Sequence, residues 1–204
     1  MSESSQDSAW PDYLPLPRDD IFALGVITLS YCMLENTFMT LLSNVAQWSQ
    51  FQSGAVFHRL PNNHRLGILS ELLAKTTIPI ETKEDIKYFA TGFHACATSR
   101  NFIMHSSSAG LHSEGLILQR HSRAGARLEC YLTLSDLKQI ADDMNGFAIF
   151  GAVVDSDVRS YSAKLSKGHP EEYRGQSPLT SQKKPPMPKV LCWNPSAYPE
   201  GQIF

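Results

Sequence analysis

Three long stretches of this chain repeat apolar side chains at intervals of three and four residues, and a chain patterned this way buries itself as packed helices. The first series is Leu24, Ile27, Tyr31, Leu34, Phe38, Leu41, Val45, Trp48. The second is Ile86, Phe89, Phe93, Cys96, Arg100, Ile103. The third is Leu137, Ile140, Met144, Phe147, Gly151, Val154, Val158, Tyr161, Leu165. At about 1.5 Å per residue, the first and last helices are each about 45 Å long. A shorter helix with Leu66, Leu69 and Leu73 follows Pro61-Asn62-Asn63 and breaks at Ile78-Pro79-Ile80. Three long seams and a short one predict a mainly all-α fold, an antiparallel four-helix bundle.

Local chemistry suggests the boundaries. Asp19 or Asp20 suits the start of the first helix, and Thr82-Lys83-Glu84-Asp85 reads as a capping-box start for the helix that runs to about His105. Ser106-Ser107-Ser108-Ala109-Gly110 stops that helix. Residues 115–121 and 127–133 read as strands around Ser122-Arg123-Ala124-Gly125-Ala126, so a β-hairpin at about 115–134 is inserted before the last helix. Thr133 or Ser135 caps that helix. The organisation expected is a polar, Pro-rich arm at 1–18, a helical bundle at 19–165 and an irregular Pro-rich tail at 166–204, extended or disordered. In the tail, Val190-Leu191-Cys192-Trp193 can dock on the bundle or on a partner.

With 18 Lys+Arg against 20 Asp+Glu and a net charge of -2, the chain lacks the overall basic field of many nucleic-acid binders. Any contact with RNA must come from a local patch. Arg120, His121, Arg123 and Arg127 around the hairpin turn are the candidates, with His112 upstream. A solvated hairpin tip is the plainer reading of the same residues. Cys32, Cys96, Cys130 and Cys192 are far apart and have no Cys/His ligand spacing, which argues against a structural zinc. Three of them sit in apolar helix or strand patterns and read as small core residues. Residues 1–8 are polar and acidic, and no uninterrupted apolar run approaches the ~18 residues of a membrane span. The expectation is a cytoplasmic protein in a reducing compartment, with no membrane contact.

Arg100 is out of place in this pattern, because it occupies a core position of the second seam. A buried, unpaired guanidinium costs several kcal/mol, so Arg100 is either paired inside the core or lines a wet cleft. His105 lies five residues on, at the end of the same helix. A guanidinium holds phosphate oxygens with its fork, and an imidazole moves protons near neutral pH. Together they suit the handling of a phosphate without a metal.

Arg100-Asn101-Phe102-Ile103-Met104-His105, at the end of a helix in a small bundle, resembles the HEPN superfamily (higher eukaryotes and prokaryotes nucleotide-binding). That family's pattern is an Arg, four to six residues and a His, often with a polar residue directly after the Arg, where Asn101 stands here. The resemblance spans roughly residues 19–165. It implies a metal-independent endoribonuclease that needs no cofactor and works as a homodimer, with the Arg and His of both copies lining one cleft. It further implies attack of a ribose 2′-OH on its own phosphate, leaving cyclic-phosphate and 5′-OH ends. His105 is then general acid or base, Arg100 stabilises the transition state, and Asn101 orients the His or binds phosphate. The setting implied is a toxin or defence effector, with an antitoxin or other protein as a possible partner.

Supporting candidates are Glu35, which can pair with Arg100 from the first helix, His94, one heptad before Asn101, and Ser106, a hydroxyl directly after His105. Arg100 and His105 do not align on an ideal helix, so either the Arg side chain reaches across or the last turn unwinds at Ser106. Two other readings use the same residues. One is a non-catalytic HEPN-like bundle that binds nucleotides or proteins. The other is an unrelated helical adaptor in which Arg100 and Glu35 form a core ion pair.

Overall fold

The computed structural model describes residues 16–112, 115–121, 125–168, 184–192 and 194–195; of residues 50, 107–112 and 194–195 it describes the backbone. The described chain is mainly helical, with α1 (Arg18–Ala46), α2 (Gln50–Phe57), α3 (Asn62–Lys75), α4 (Ile80–Met104) and α5 (Leu134–Ser166). Strands β1 (Ser107–His112), β2 (Gly115–His121), β3 (Arg127–Thr133) and β4 (Asn194–Pro195) form one antiparallel sheet in the order β1-β2-β3-β4. Most of the expected arm, residues 1–15, lies outside the described residues.

Prolines open three of the helices. Pro17, Pro61 and Pro79 are the N-cap residues of α1, α3 and α4, and none makes a side-chain cap bond. Each delivers an extended chain into the first turn at a preset φ. This corrects two expected starts. Asp19 and Asp20 lie inside the first turn of α1, where carboxylates favour the helix dipole, and Thr82 is a buried residue inside the first turn of α4. Thr133 caps α5: its Oγ1 accepts from Asp136 N at 3.1 Å, while Asp136 Oδ2 accepts from Thr133 N at 2.8 Å. The bonds from Thr133 hold the Asp136 carboxyl below the ordinary Asp value. α1 ends at Ala46, short of the expected Trp48, on a left-handed Gln47 (φ 55°). Trp48 instead stacks on Phe57 of the unanticipated α2, at 5.1 Å between ring centroids.

The bundle is not antiparallel throughout. Asn44 near the end of α1 donates to Asp155 in the second half of α5 at 2.6 Å. Asp19 and Phe22 at the start of α1 share a cleft with Lys138 and Asp142 at the start of α5. The two longest helices therefore run parallel, and α4 runs against both. Along α4, Phe93 stacks on Phe38 at 4.1 Å while Arg100 reaches Tyr31, earlier in α1. The chain enters α5 at the end where α4 stops, because the sheet lies between them and reverses its course. α4 and α5 approach closely at Gly92, where an added Cβ would lie 1.9 Å from Phe147 Cε1. Ile27, Leu34, Phe38, Phe89, Phe93, Met144, Phe147 and Val158 are fully buried, so all three seams meet in one core.

α1 also has an 18-residue window of mean hydropathy 1.4, long and apolar enough by composition to cross a membrane. One face of it packs in the core, while Phe22, Leu29 and Met33 on the other are 74%, 68% and 57% exposed. Cys32 shares that outer face, so of the cysteines in apolar patterns only Cys96 and Cys130 are buried. Burial pushes the Cys96 thiol up to about 12.

The expected hairpin forms as β2–β3, with Leu116, Leu118, Cys130 and Leu132 on its buried side. The segment after α4 was expected only as a helix stop, yet it continues as β1, pairing with β2 through an irregularity between Ser108 and Gly110. Part of the tail is strapped to the bundle. Lys184 Nζ lies 2.6 Å from Asp85 and 5.2 Å from the Tyr88 ring centroid, and Tyr88 Oη donates to the Pro185 carbonyl at 2.6 Å. Pro188 is buried, Leu191 packs against the core, and the strap ends in β4 against β3.

Candidate functional site

The last two turns of α4 carry the motif. Ser99, Phe102 and Ile103 are buried, while Asn101 and His105 are exposed and Arg100 lies half-buried between the two faces. The helix stays wound to its end. The His105 N–H donates to the Asn101 carbonyl at 3.1 Å, and Ser106 Oγ donates to the Phe102 carbonyl. Ser106 thus finishes the helix by binding backbone. Arg100 reaches sideways instead: Nη1 donates to Asn101 Oδ1 at 3.1 Å. Asn101 and His105, four residues apart, share one outward face. His94 is exposed on that face, roughly 10 Å up the axis from Asn101 at the rise of an α-helix.

Glu35 does not pair with Arg100. It pairs with Arg65 of α3, Nη1 to Oε1 at 2.8 Å. Arg65 also donates through Nε to the Phe57 carbonyl at 2.8 Å and through Nη1 to Asn62 Oδ1 at 3.0 Å. Asn62 Nδ2 in turn donates to Tyr31 Oη at 2.7 Å. Burial, and then Glu35, raise the Tyr31 phenol above its ordinary value, against the Asn62 bond and the two arginines. Tyr31 is therefore a neutral phenol at neutral pH.

Arg100 is held by that ring. Its Cζ lies 5.3 Å from the Tyr31 centroid, a cation–π contact. Among the described residues no carboxylate lies within ion-pair distance of Arg100, and its buried Nε has no acceptor. Of the two fates expected for Arg100, the core ion pair is excluded among these residues. The guanidinium instead lies half-open to water, with no carboxylate among the described residues to cancel its charge. Such a group can receive an anion, and the exposed imidazole one turn away can exchange a proton with it.

The proposed RNA contacts are less united. His121 and Arg127 are cross-strand partners on the outward face of β2–β3. Arg127 Nε lies 3.0 Å from Glu129 Oε1, an ion pair off the hydrogen-bond line, and Gln119 Nε2 donates to the same oxygen at 2.8 Å. The charge of Arg127 is thus largely cancelled. Arg120, opposite Leu128, is exposed at the end of the strand. Arg123 lies outside the described residues, as does the side chain of His112.

Tyr31, Asn62 and Arg65 are the site residues that sequence reasoning missed. Arg65 carried the same signal as Arg100, since Arg65, Leu69 and Leu73 form a +4 seam on α3. Tyr31 gave none, because an aromatic on an apolar seam reads as core. Comparison of the chain with protein-family models, curated proteins and solved structures found no match.

Proposed function

We propose that the Arg100–Asn101–His105 face is the half-site of a metal-independent endoribonuclease of HEPN type that works as a homodimer. The observation that carries this reading is Arg100, a half-buried cation with its Nη1 end exposed and no carboxylate within ion-pair distance among the described residues. Phosphate oxygens fit such a group, and His105, exposed five residues further on at the C-cap of α4, is the group to move the proton. In the reaction one imidazole takes the proton of the ribose 2′-OH. The 2′-oxygen bonds to phosphorus, the P–O5′ bond breaks, and the leaving 5′-oxygen takes a proton from a second imidazole. The products are a 2′,3′-cyclic phosphate and a 5′-OH. Each copy supplies one His105, so base and acid come from two chains. Arg100 stabilises the extra negative charge on the phosphoryl oxygens.

A second reading has its own observation in favour. Phe22, Leu29 and Met33 form an apolar stripe on α1 that is exposed among the described residues, as in a module that binds another protein. The net charge of -2 also disfavours tight non-specific RNA binding, so the nuclease reading requires defined or presented RNAs. The test is cleavage of single-stranded and structured RNA in EDTA by wild type, His105→Ala and Arg100→Ala. Cyclic-phosphate ends from wild type alone support the nuclease. Intact RNA with all three sinks it and leaves the binding module.

A further inference from the structure

We propose that Tyr31 is the residue that positions Arg100 for an anionic ligand, a phosphate or phosphodiester, by holding the guanidinium on its ring face without cancelling its charge. This rests on the reading of the face as a phosphate-handling site and adds to it a residue from α1.

Arg100 stands on a core seam and needs compensation for its partial burial. A carboxylate would supply it and would also neutralise the cation. The adjacent acid, Glu35, is committed to Arg65 at 2.8 Å. The compensation for Arg100 comes from the Tyr31 ring at 5.3 Å and the Asn101 amide oxygen at 3.1 Å, neither of which carries charge. Among the described residues no carboxylate takes up the positive charge, and the buried Nε–H has no acceptor.

The ring is itself immobilised. Tyr31 is 5% exposed, stacks on Phe93 at 6.4 Å and 19°, and accepts from Asn62 Nδ2 at 2.7 Å. Asn62 is fixed by Arg65, and Arg65 by Glu35 and the Phe57 carbonyl. Residues of four helices, α1 to α4, thus fix one aromatic plane, and that plane sets the position of the guanidinium. A flexible Arg side chain otherwise loses rotamer entropy when it binds an anion, and the platform removes part of that cost in advance.

The ring face is what the proposal requires, so Tyr31→Phe, which gives up the Asn62 bond but keeps the stack on Phe93, retains most of the function and Tyr31→Leu loses it. The experiment follows the Arg100 Nε–H signal of the full-length protein by NMR, assigned with Arg100→Lys, during titration with inorganic phosphate. RNA cleavage is measured in parallel. In wild type and Tyr31→Phe, the signal is ring-current shifted and moves saturably with phosphate. In Tyr31→Leu the ring-current shift is lost and phosphate binds about tenfold more weakly, the scale of a partly desolvated cation–π contact. Should Tyr31→Leu fail to fold, Tyr31→pentafluorophenylalanine keeps the shape, reverses the ring quadrupole and carries the same comparison. Equal phosphate binding in wild type and the Leu or fluorinated variant overturns the proposal. So does an equal loss in Tyr31→Phe, or a wild-type Arg100 signal that phosphate does not move. If phosphate behaves as expected while wild type leaves RNA uncut, the nuclease reading fails and the positioning role stands.

Discussion

Arg65 and Arg100 hold the same kind of position and are compensated in opposite ways. Each stands on the apolar seam of its helix, Arg65 with Leu69 and Leu73 on α3, Arg100 with Phe93 and Cys96 on α4. Arg65 is 7% exposed and satisfied by a carboxylate, a backbone carbonyl and an amide oxygen. Arg100 is half-buried and meets a phenol ring and one amide oxygen, with Nε left over. A misplaced charge on a seam therefore does not by itself mark a functional site. What separates the two is whether the fold supplies a counter-charge.

If that separation is right, Arg65→Ala is the most damaging change. It strands Glu35, takes one of two donors from the Phe57 carbonyl, which keeps Leu60 N–H, and opens a void, with an expected loss of about 3–5 kcal/mol. Chemical denaturation reads it directly, and a loss below about 1 kcal/mol would remove the contrast. Glu35→Gln comes next, at about 1–2 kcal/mol, because the neutral amide still accepts from Arg65 but no longer balances its charge. Arg100→Ala is expected to cost at most about 1 kcal/mol, since its charged end is already wet. Phosphate binding and RNA cleavage by that variant should fall to background. A large drop in stability with normal phosphate binding would instead make Arg100 a structural arginine like Arg65.

The same pair shows what could be read from the chain and what could not. The seams identified α1, α3, α4 and α5, because a +3/+4 repeat is a property of one helix. They could not identify direction: α1 and α5 run parallel because α4 runs against both, the chain having come back along α1 through α2 to start α3 beside Tyr31 and Glu35, and no seam encodes that. α2 was missed because Gln50–Phe57 spans about two turns, too short for a repeat to register. β1 was missed because Ser-Ser-Ala-Gly reads as a loop until β2 lies beside it. At the site, Arg100 was legible as a charge on an apolar seam. Its partner was not, since Glu35 had two seam arginines within reach of its helix and folding brought Arg65 to it. Tyr31 was hidden for a simpler reason: a platform and a core residue have the same sequence signature.

A third strained charge gives the smallest and most discriminating test. Asp143 of α5 is raised above the ordinary Asp value by burial, with Asp142 adding to the effect and a bond from Gln139 Nε2 at 2.8 Å opposing it. Its folded form binds a proton more tightly than its unfolded form, so stability falls as pH rises from the unfolded value of 3.8 through the raised one, and the loss is complete at neutral pH. Asp143→Asn keeps an oxygen for Gln139 and removes the charge. It should stabilise the protein at pH 7 by a few tenths of a kcal/mol, after allowance for solvent screening. Below the unfolded value the gain should vanish, because both forms are then neutral. Melting curves of wild type and variant across that range measure it. Convergence at low pH would assign the cost of Asp143 to its charge. A constant offset would assign it to packing, and the charge of Arg100, which no carboxylate among the described residues offsets, would then be the more exceptional of the two.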